Sequence, residues 1–245
     1  MSVESKKRSI YKALTWRIFA VTILFGVSYF ILGGNSTKAF GVTIAYHGLQ
    51  MITYFIHERL WSMVRWGKSK GLFVQFTGLS GAGKSTLAAL VALRLKKQGY
   101  QIEIIDGDEY RQELCGDLGF SKKDRNTNIK RLGFVSKILA RNGVISIIAA
   151  INPYDNIRLE LKNMGPNVKT VYIKCDLETL KQRDTKGLYR RALLPSDHPQ
   201  HITQFTGISD PFEKPSEPDL IIDTNIESIE TATRKLEVFI KKSIS

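Results

Sequence analysis

The segment from residue 72 to residue 99 constrains the fold more strongly than any other part of the chain. An apolar run, LFVQF, precedes GLSGAGKS at residues 78–85, and TLAALVALRLKKQG follows with apolar positions at helical spacing up to Gly99. This order of strand, glycine-rich loop and helix fits the pattern G-x-x-x-x-G-K-[ST] in full. It predicts an α/β domain of the P-loop nucleotide-kinase type, in which a parallel sheet is covered by helices on both faces. Later apolar runs, such as GVISIIAAI and NVKTVYIKCD, bring the expected number of strands to five.

The glycine-rich loop predicts a site for a chain of phosphates. Its glycines let successive backbone N–H groups point inward, and the helix that follows adds its partial positive end. We expect Lys84 to reach the β- and γ-phosphates and the Ser85 hydroxyl to ligate Mg²⁺, so that ATP is the co-substrate and Mg²⁺ the metal cofactor. The predicted ATP-binding residues are Gly78, Leu79, Ser80, Gly81, Ala82, Gly83, Lys84, Ser85 and Thr86.

Two aspartates follow the second predicted strand. In IEIIDGDEYR, Asp106 and Asp108 come at the carboxyl end of the strand, where an open α/β sheet binds its ligands. The next strand, GVISIIAAI, ends without an aspartate. Asp106 and Asp108 are therefore the best candidates to orient Mg²⁺ or to accept a hydroxyl proton, and we expect Asp106 to hold the metal together with Ser85. The sequence holds no guanine-reading Asn-Lys-x-Asp loop, which favours a small-molecule kinase over a GTPase.

A basic loop is the remaining candidate for catalysis. The segment RDTKGLYRRALLP concentrates cations around Lys186 in a glycine-containing stretch without a clear helical or strand pattern. Such a loop suits a lid that brings positive charge over phosphates and excludes water during transfer. The predicted catalytic residues are Lys84, Asp108 and Lys186.

The first 70 residues differ in character from the rest of the chain. They contain ten Lys and Arg residues against two acids, and Ile18–Leu32 and Ala39–Ile56 are free of charge. Both apolar stretches approach the ~20 residues of a bilayer-spanning helix. We therefore predict a transmembrane helical hairpin, Leu14–Leu32 followed by Ala39–Ile56. A cleaved signal peptide, a buried soluble helix pair and an interfacial amphipathic pair are the alternatives.

The basic residues that flank the predicted spans indicate the orientation of the hairpin. Positive flanks remain in the cytoplasm, so both termini and the kinase domain are expected there, with membrane lipid as a partner. The basic surplus accompanies apolar segments, which favours a membrane over nucleic acid as the partner of this region. We divide the chain into a two-helix membrane domain (1–66), a linker (67–71) and a kinase domain (72–245).

Several motifs between residue 72 and about residue 224 occur together in the order of one family. They are GLSGAGKST, DGDEYR, DLGFSKKDR with NIKR, NPY, RDTKGLY and FTGISDPFEKP. With them the chain resembles adenylylsulfate kinases, which use ATP to phosphorylate the 3′-hydroxyl of adenosine 5′-phosphosulfate and form 3′-phosphoadenylyl sulfate. Dimers are frequent in that family, so the resemblance also suggests a homodimer. Residues 6–66 resemble a small bacterial two-span membrane domain of unknown function.

The resemblance implies an acceptor site on matching residues. Arg111, Arg125 and Asn128 correspond to groups that hold the phosphosulfate and ribose. Phe120 and Phe205 correspond to the rings that enclose the acceptor adenine, and we expect both rings to be exposed. The implied substrate-binding residues are Asp108, Arg111, Phe120, Arg125, Asn128, Ile151, Lys186, Gly187, Leu188 and Phe205.

One position departs from the family pattern. Where the family commonly has Ile-Ser-Pro-Tyr, this chain has Ile-Asn-Pro-Tyr, with Asn152 in place of the serine. Asparagine cannot carry a phosphoester, so we expect direct in-line transfer without a covalent intermediate at this residue. The change leaves open a kinase for another nucleotide-like anhydride, or a membrane-anchored nucleotide sensor without transfer activity.

Overall fold

The computed structural model describes residues 6–31, 36–64, 70–184 and 186–244. The chain divides into two compact units, Met1–Ser69 and Lys70–Ser245. The predicted linker at residues 67–71 falls mostly outside the described residues, as does Leu32 at the end of the first predicted span. The predicted domain boundaries therefore stay predictions.

The N-terminal unit contains two packed helices, α1 (Lys6–Ile31) and α2 (Ser36–Met63). A polar cluster joins them, because Trp61 Nε1 donates to His57 Nε2 at 3.0 Å and Thr15 Oγ1 lies 3.1 Å from the same nitrogen. Two helices thus occupy the segment for which the sequence predicts a transmembrane hairpin. Among the described residues, however, neither helix combines the length and the apolar character needed to cross a bilayer.

The second unit is built on a parallel sheet, as predicted. Five strands in the described residues are arranged in the order β2-β3-β1-β4-β5, and every neighbouring pair is parallel. The strands are β1 (Leu72–Thr77), β2 (Ile102–Asp106), β3 (Ile145–Ala149), β4 (Val168–Lys174) and β5 (Leu220–Asp223). Because the strands are parallel, their carboxyl ends meet at one edge of the sheet, and the predicted site residues follow these ends.

Helices cover both faces of the sheet. They are α3 (Lys84–Lys97), α4 (Gly107–Leu114), α5 (Lys122–Arg141), α6 (Asp155–Lys162), α7 (Leu177–Arg183), α8 (Leu188–Ala192) and α9 (Ile229–Ile244). The central strand supplies both cores, since Val74 and Phe76 pack with α3 and α9 while Phe73 packs with α5 and α6. Burial of alternate side chains on opposite faces explains why β1 is apolar along nearly its whole length.

Candidate active site

The phosphate loop joins β1 to α3 and depends on glycine backbone geometry. Gly78, Gly81 and Gly83 all have positive φ angles. At Gly78, with φ of 152°, a Cβ atom would lie 2.3 Å from the carbonyl oxygen of Ile173 on β4. Gly83 caps the N-terminus of α3 in the left-handed conformation. The loop therefore has the curvature that lets N–H groups converge on an anion.

Lys84 is buried inside this loop. Its Nζ donates to the carbonyl oxygens of Gly78, at 3.0 Å, and Leu79, at 2.7 Å. Burial lowers the pKa of Lys84 to about 8, while the nearby Asp108 carboxylate acts in the opposite direction. The ammonium group is thus held where an incoming phosphate would find a fixed and poorly hydrated charge.

The metal-site candidates lie within hydrogen-bonding distance of each other. Ser85 Oγ donates to Asp106 Oδ2 at 2.7 Å, and Asp106 Oδ1 accepts from the backbone N–H of Asp108 at 2.9 Å. Hydroxyl and carboxylate oxygens are ligands that suit Mg²⁺. In the described part of the chain, no group of three or more His, Cys, Asp or Glu side chains could hold a metal ion. The two oxygens therefore fit a metal that takes its other ligands from phosphate and water.

Asp108 and Lys186 face each other across the same cavity. Their carboxylate and ammonium groups are 2.8 Å apart, and the Asp108 partner raises the pKa of Lys186. The cavity has a volume of about 230 Å³. Its lining residues are Ser80, Gly81, Gly83, Lys84, Ser85, Thr86, Asp106, Asp108, Ala149, Ala150, Ile151 and Lys186. The structure thus brings the predicted catalytic and metal-binding residues, together with Ile151, to one place.

Two arginines flank the ring of Phe120 in the predicted acceptor region. The guanidinium carbon of Arg111 lies 4.2 Å from the ring centroid and that of Arg125 lies 5.5 Å from it. Arg125 is buried and donates to the backbone oxygens of Phe120 at 2.8 Å and Gln204 at 2.7 Å. A third bond reaches Thr206 Oγ1 at 3.1 Å. Arg125 therefore joins the start of α5 to the loop that carries Phe205.

The two phenylalanines of the predicted adenine site differ in exposure. Phe120 is 55% exposed, whereas Phe205 is 7% exposed, so the expectation that both rings are exposed is wrong for Phe205. The Phe205 carbonyl accepts from the N–H groups of Ile208, Ser209 and Asp210, which closes a tight turn. This turn directs the Phe205 ring against Tyr189, with centroids 4.9 Å apart and planes at 89°.

Asn128 offers a free acceptor on the same helix as Arg125. The residue is buried, and its Oδ1 has no hydrogen-bond partner among the described residues. Buried polar atoms are nearly always paired, so an unpaired one near a predicted site is explained well by a ligand.

The predicted lid is more ordered than its sequence pattern suggested. Asp184 Oδ1 and Oδ2 accept from the backbone N–H groups of Tyr189 and Arg190, which begins the short helix α8. Gly187 precedes this helix with φ of 65°, and Leu188 is its first residue. The expectation of an unpatterned loop is wrong for α8, because the capping bonds come from a side chain five and six positions away. Residue 185 lies outside the described residues.

Comparison with known proteins decides the family of the second unit. The sequence profile of adenylylsulphate kinases matches residues 70–223. The chain belongs to the adenylylsulphate kinase family. The adenylyl-sulfate kinase of Chloroflexus aurantiacus is 45% identical over 180 residues, which are 71% of this chain and 94% of that protein.

Other adenylylsulphate kinases support the same assignment. A probable bifunctional SAT/APS kinase 2 of Sorangium cellulosum is 46% identical, over 68% of this chain but 28% of that longer protein. The structure of the Mycobacterium tuberculosis APS kinase CysC, in complex with AMPPNP and APS, superposes with a TM-score of 0.66 and 34% identity. The superposition covers 71% of this chain and 99% of that one. Residues 10–62 match a separate family, described as a predicted membrane protein.

The position that departs from the adenylylsulphate kinase pattern is buried. Asn152 is 1% exposed and has a positive φ of 44°, a conformation that asparagine adopts more readily than most residues. Its Nδ2 donates to Gln75 Oε1 at 2.9 Å, and its carbonyl accepts from Thr77 Oγ1 at 2.9 Å. The side chain thus connects the end of β3 to β1.

Sequence reasoning missed a second cavity of this adenylylsulphate kinase. It has a volume of about 370 Å³ and meets the phosphate loop at Ala82 and Gly83. Its other lining residues are Thr86, Leu87, Arg183, Thr224, Glu227, Ser228, Ile229 and Ala232. Arg183 donates to the backbone oxygen of Thr224 at 2.9 Å, which ties the start of the lid to the segment after β5. The position of Thr224 directly after the last strand was the only sequence signal for this cavity.

Proposed function

We propose that this chain transfers the γ-phosphoryl group of ATP to the 3′-hydroxyl of adenosine 5′-phosphosulfate, which gives 3′-phosphoadenylyl sulfate. The observation that carries the proposal is the meeting of Lys84, Ser85, Asp106, Asp108 and Lys186 around one cavity in a member of the adenylylsulphate kinase family. Few other chemistries need a phosphate loop, a metal-binding carboxylate and a second acid–lysine pair at one position.

The two cavities support a placement for ATP. The phosphates would lie on the loop around Lys84, while the nucleoside would occupy the cavity of about 370 Å³ beside Arg183 and Thr224. Leu87, Ile229 and Ala232 give that cavity an apolar wall, and the Arg183 guanidinium offers a flat cation for a base. Ser85 and Asp106 would hold Mg²⁺, which supplies positive charge to the transferring phosphoryl group when it is bound.

The acid–lysine pair supports direct transfer. Asp108 Oδ2 lies 2.8 Å from Lys186 Nζ, which holds the carboxylate at the cavity, where it can accept the proton of an acceptor hydroxyl. Lys186 can then turn from the carboxylate to the phosphate oxygens as the lid closes. Asn152 carries no nucleophile and is turned toward Gln75, so the phosphoryl group moves in line from ATP to the acceptor.

The acceptor would lie beside α5. Arg125 makes three hydrogen bonds through all of its nitrogens, whereas Arg111 donates to the backbone oxygens of Leu118 and Gly119 through Nη2. Arg111 and the unpaired Oδ1 of Asn128 therefore have more capacity for a new ligand than Arg125. We assign Arg111 to the phosphosulfate and the exposed Phe120 face to the adenine. Arg125 then positions the loop that carries Phe205 and adds its charge to the pocket.

An acceptor assay tests the proposal. The purified chain is incubated with ATP, Mg²⁺ and either adenosine 5′-phosphosulfate or one of a panel of other nucleotides, and ADP release is coupled to product identification. Turnover only with the phosphosulfate is expected. If a different nucleotide is phosphorylated instead, the assignment of adenosine 5′-phosphosulfate as the acceptor is wrong. If ATP binds but no product forms, the alternative of a nucleotide sensor without transfer activity is favoured.

We also propose that the N-terminal unit attaches the kinase to a membrane. The match to a family described as a predicted membrane protein supports this, as does the apolar surface of the two helices. The large apolar side chains that are at least half exposed include Ile10, Leu14, Ile18, Phe19, Met51, Ile52, Phe55, Ile56 and Leu60. So much apolar surface on a two-helix unit calls for lipid or another apolar partner.

Flotation of the full chain with phospholipid vesicles tests this attachment. Recovery in the soluble fraction would reject it. The finer prediction, two spans with both ends and the kinase in the cytoplasm, is tested by the accessibility of single cysteines to a membrane-impermeant reagent. Homodimerisation stays a prediction, and light scattering of the purified chain measures it.

A further inference from the structure

The C-terminal half of α5 presents an unusual surface. Its exposed side combines two large apolar side chains, Phe134 (63% exposed) and Ile138 (44% exposed), with three cations. The cations are Lys130, Lys137 and Arg141, spaced along the same side of the helix. We call these five residues the α5 face. An exposed aromatic and an exposed branched side chain at i, i+4 are costly in water and are typical of a contact surface.

The charge of the α5 face is poorly compensated within the protein. Lys130 pairs with Glu160 at 2.8 Å, but Lys137 and Arg141 make no ion pair with any described residue. On α9, Val238 is 59% exposed. Lys235 pairs with Glu227 at 3.0 Å and Lys241 with Glu237 at 2.7 Å, while Arg234 and Lys242 make no ion pair with a described residue. The α5 face differs from α9 because its cations surround two large exposed apolar side chains one turn apart, Phe134 and Ile138, so a partner that is both anionic and apolar would gain more there.

The chain enters the kinase unit beside this face. Gly71 packs so closely on the end of α5 that a Cβ atom there would lie 1.9 Å from the carbonyl oxygen of Ala140. The N–H of Leu72 then donates to the carbonyl of Val144. Gly71, near the start of the kinase unit, thus lies at the carboxyl end of α5, the end that carries Ile138 and Arg141.

The α5 face lies away from the phosphate loop. The first turns of α5 carry Arg125 and Asn128 of the acceptor region, whereas its last turn precedes the start of β3. That end of the helix lies at the amino ends of the strands, opposite the edge at which ligands bind. A partner on the α5 face would leave both substrate cavities open to solution.

We propose that the α5 face docks on the surface of an anionic lipid bilayer. Phe134 and Ile138 enter the headgroup region, and Lys137 and Arg141 contact the lipid phosphates. The inference rests on the proposed membrane attachment and goes beyond it, because a tether alone would leave the kinase free to tumble. Docking orients the kinase, with its substrate cavities turned toward the solution.

Site-specific fluorescence of the full chain tests the docking. An environment-sensitive dye is placed on Phe134→Cys and, as the matched control on the opposite face of the sheet, on Val238→Cys. The native cysteines, Cys115 and Cys175, are both buried, so the introduced thiol reacts preferentially. The protein is reconstituted into vesicles of phosphatidylcholine alone or of phosphatidylcholine with phosphatidylglycerol.

We expect the dye at position 134 to shift its emission to shorter wavelength in the anionic vesicles only. Spin-labelled lipid should quench it severalfold more than the dye at position 238. The double variant Lys137→Glu, Arg141→Glu should lose the shift while its turnover in detergent stays unchanged, since neither residue contacts a substrate cavity.

Three results would overturn the proposal, and each has its own cause. Failure of the chain to float with vesicles rejects the membrane attachment and the docking together. Flotation with equal signals at positions 134 and 238 rejects the docking alone. A shift at position 134 in detergent that grows with protein concentration would show that a second copy of the chain covers the α5 face.

Discussion

The buried Lys84 predicts a loss of ATP affinity at mildly alkaline pH. Its pKa is lowered to about 8, with burial as the main cause, whereas an ATP phosphate would favour the charged form and raise that pKa again. The free protein must therefore protonate Lys84 before ATP can bind well. About nine-tenths of the chains carry this proton at pH 7 and about one-tenth at pH 9, for a group with this pKa.

The dissociation constant for MgATP should accordingly rise about tenfold between pH 7 and pH 9, which corresponds to about 1.4 kcal/mol. Isothermal titration calorimetry without the acceptor measures it. The γ-phosphate is fully ionised across most of this range, and the pKa of Lys186 is raised by Asp108, so neither group imitates the effect.

The Lys84→Arg variant is the matched control, because a guanidinium stays protonated throughout this range. Its affinity should be lower overall and nearly independent of pH. The reasoning is refuted if the dissociation constant of the wild-type chain changes less than twofold, or if the arginine variant loses as much affinity as the wild type.

Three further predictions concern the loop, the acid and the acceptor site. Asp108→Asn should lower kcat by about 10²–10⁴-fold with little change in ATP affinity, as expected for a lost general base. Glu109→Gln, on the next residue, is the control and should have little effect. Equal losses of kcat in the two variants would contradict the role of Asp108 as general base. Phe120→Ala should raise the KM for the acceptor without lowering thermal stability, because the ring is 55% exposed. Phe205→Ala should also raise that KM, and because its ring is buried it should in addition lower the unfolding free energy by about 3 kcal/mol. Gly78→Ala should abolish ATP binding in a titration, since the added Cβ would lie 2.3 Å from the Ile173 carbonyl oxygen. A normal affinity for ATP would show that the loop can adjust its backbone to accept the methyl group.

Local sequence was sufficient where a function depends on consecutive residues. The phosphate loop lies within eight positions, and Asp106 and Asp108 lie at and just after the end of a strand that their own neighbours define. To predict that the phosphate loop and these aspartates lie close together, one further rule is needed: parallel strands have their carboxyl ends at a common edge of the sheet. The contact of Ser85 with Asp106 at 2.7 Å agrees with that rule.

Local sequence failed where burial depends on distant segments. Nothing near Phe205, which lies in a loop, indicates that its ring packs on Tyr189 of α8. The hydroxyl of Tyr189 in turn donates to the backbone oxygen of Ser80 at 2.8 Å, so α8 supports the phosphate loop in a way that neither motif suggests. The cavity of about 370 Å³ has the same origin, because its walls come from the lid and from the segment after β5.

The sequence by itself determined the fold class, the phosphate loop, the family and the candidates for the chemistry. Each of these depends on short-range spacing, which a linear pattern records. The tertiary structure alone decided that Arg125 is occupied in holding a loop, that Asn128 keeps an unpaired oxygen, and that the end of α5 is basic and apolar where the chain enters. These properties depend on which distant surfaces are covered and which stay exposed, and packing settles that only when the whole chain has folded.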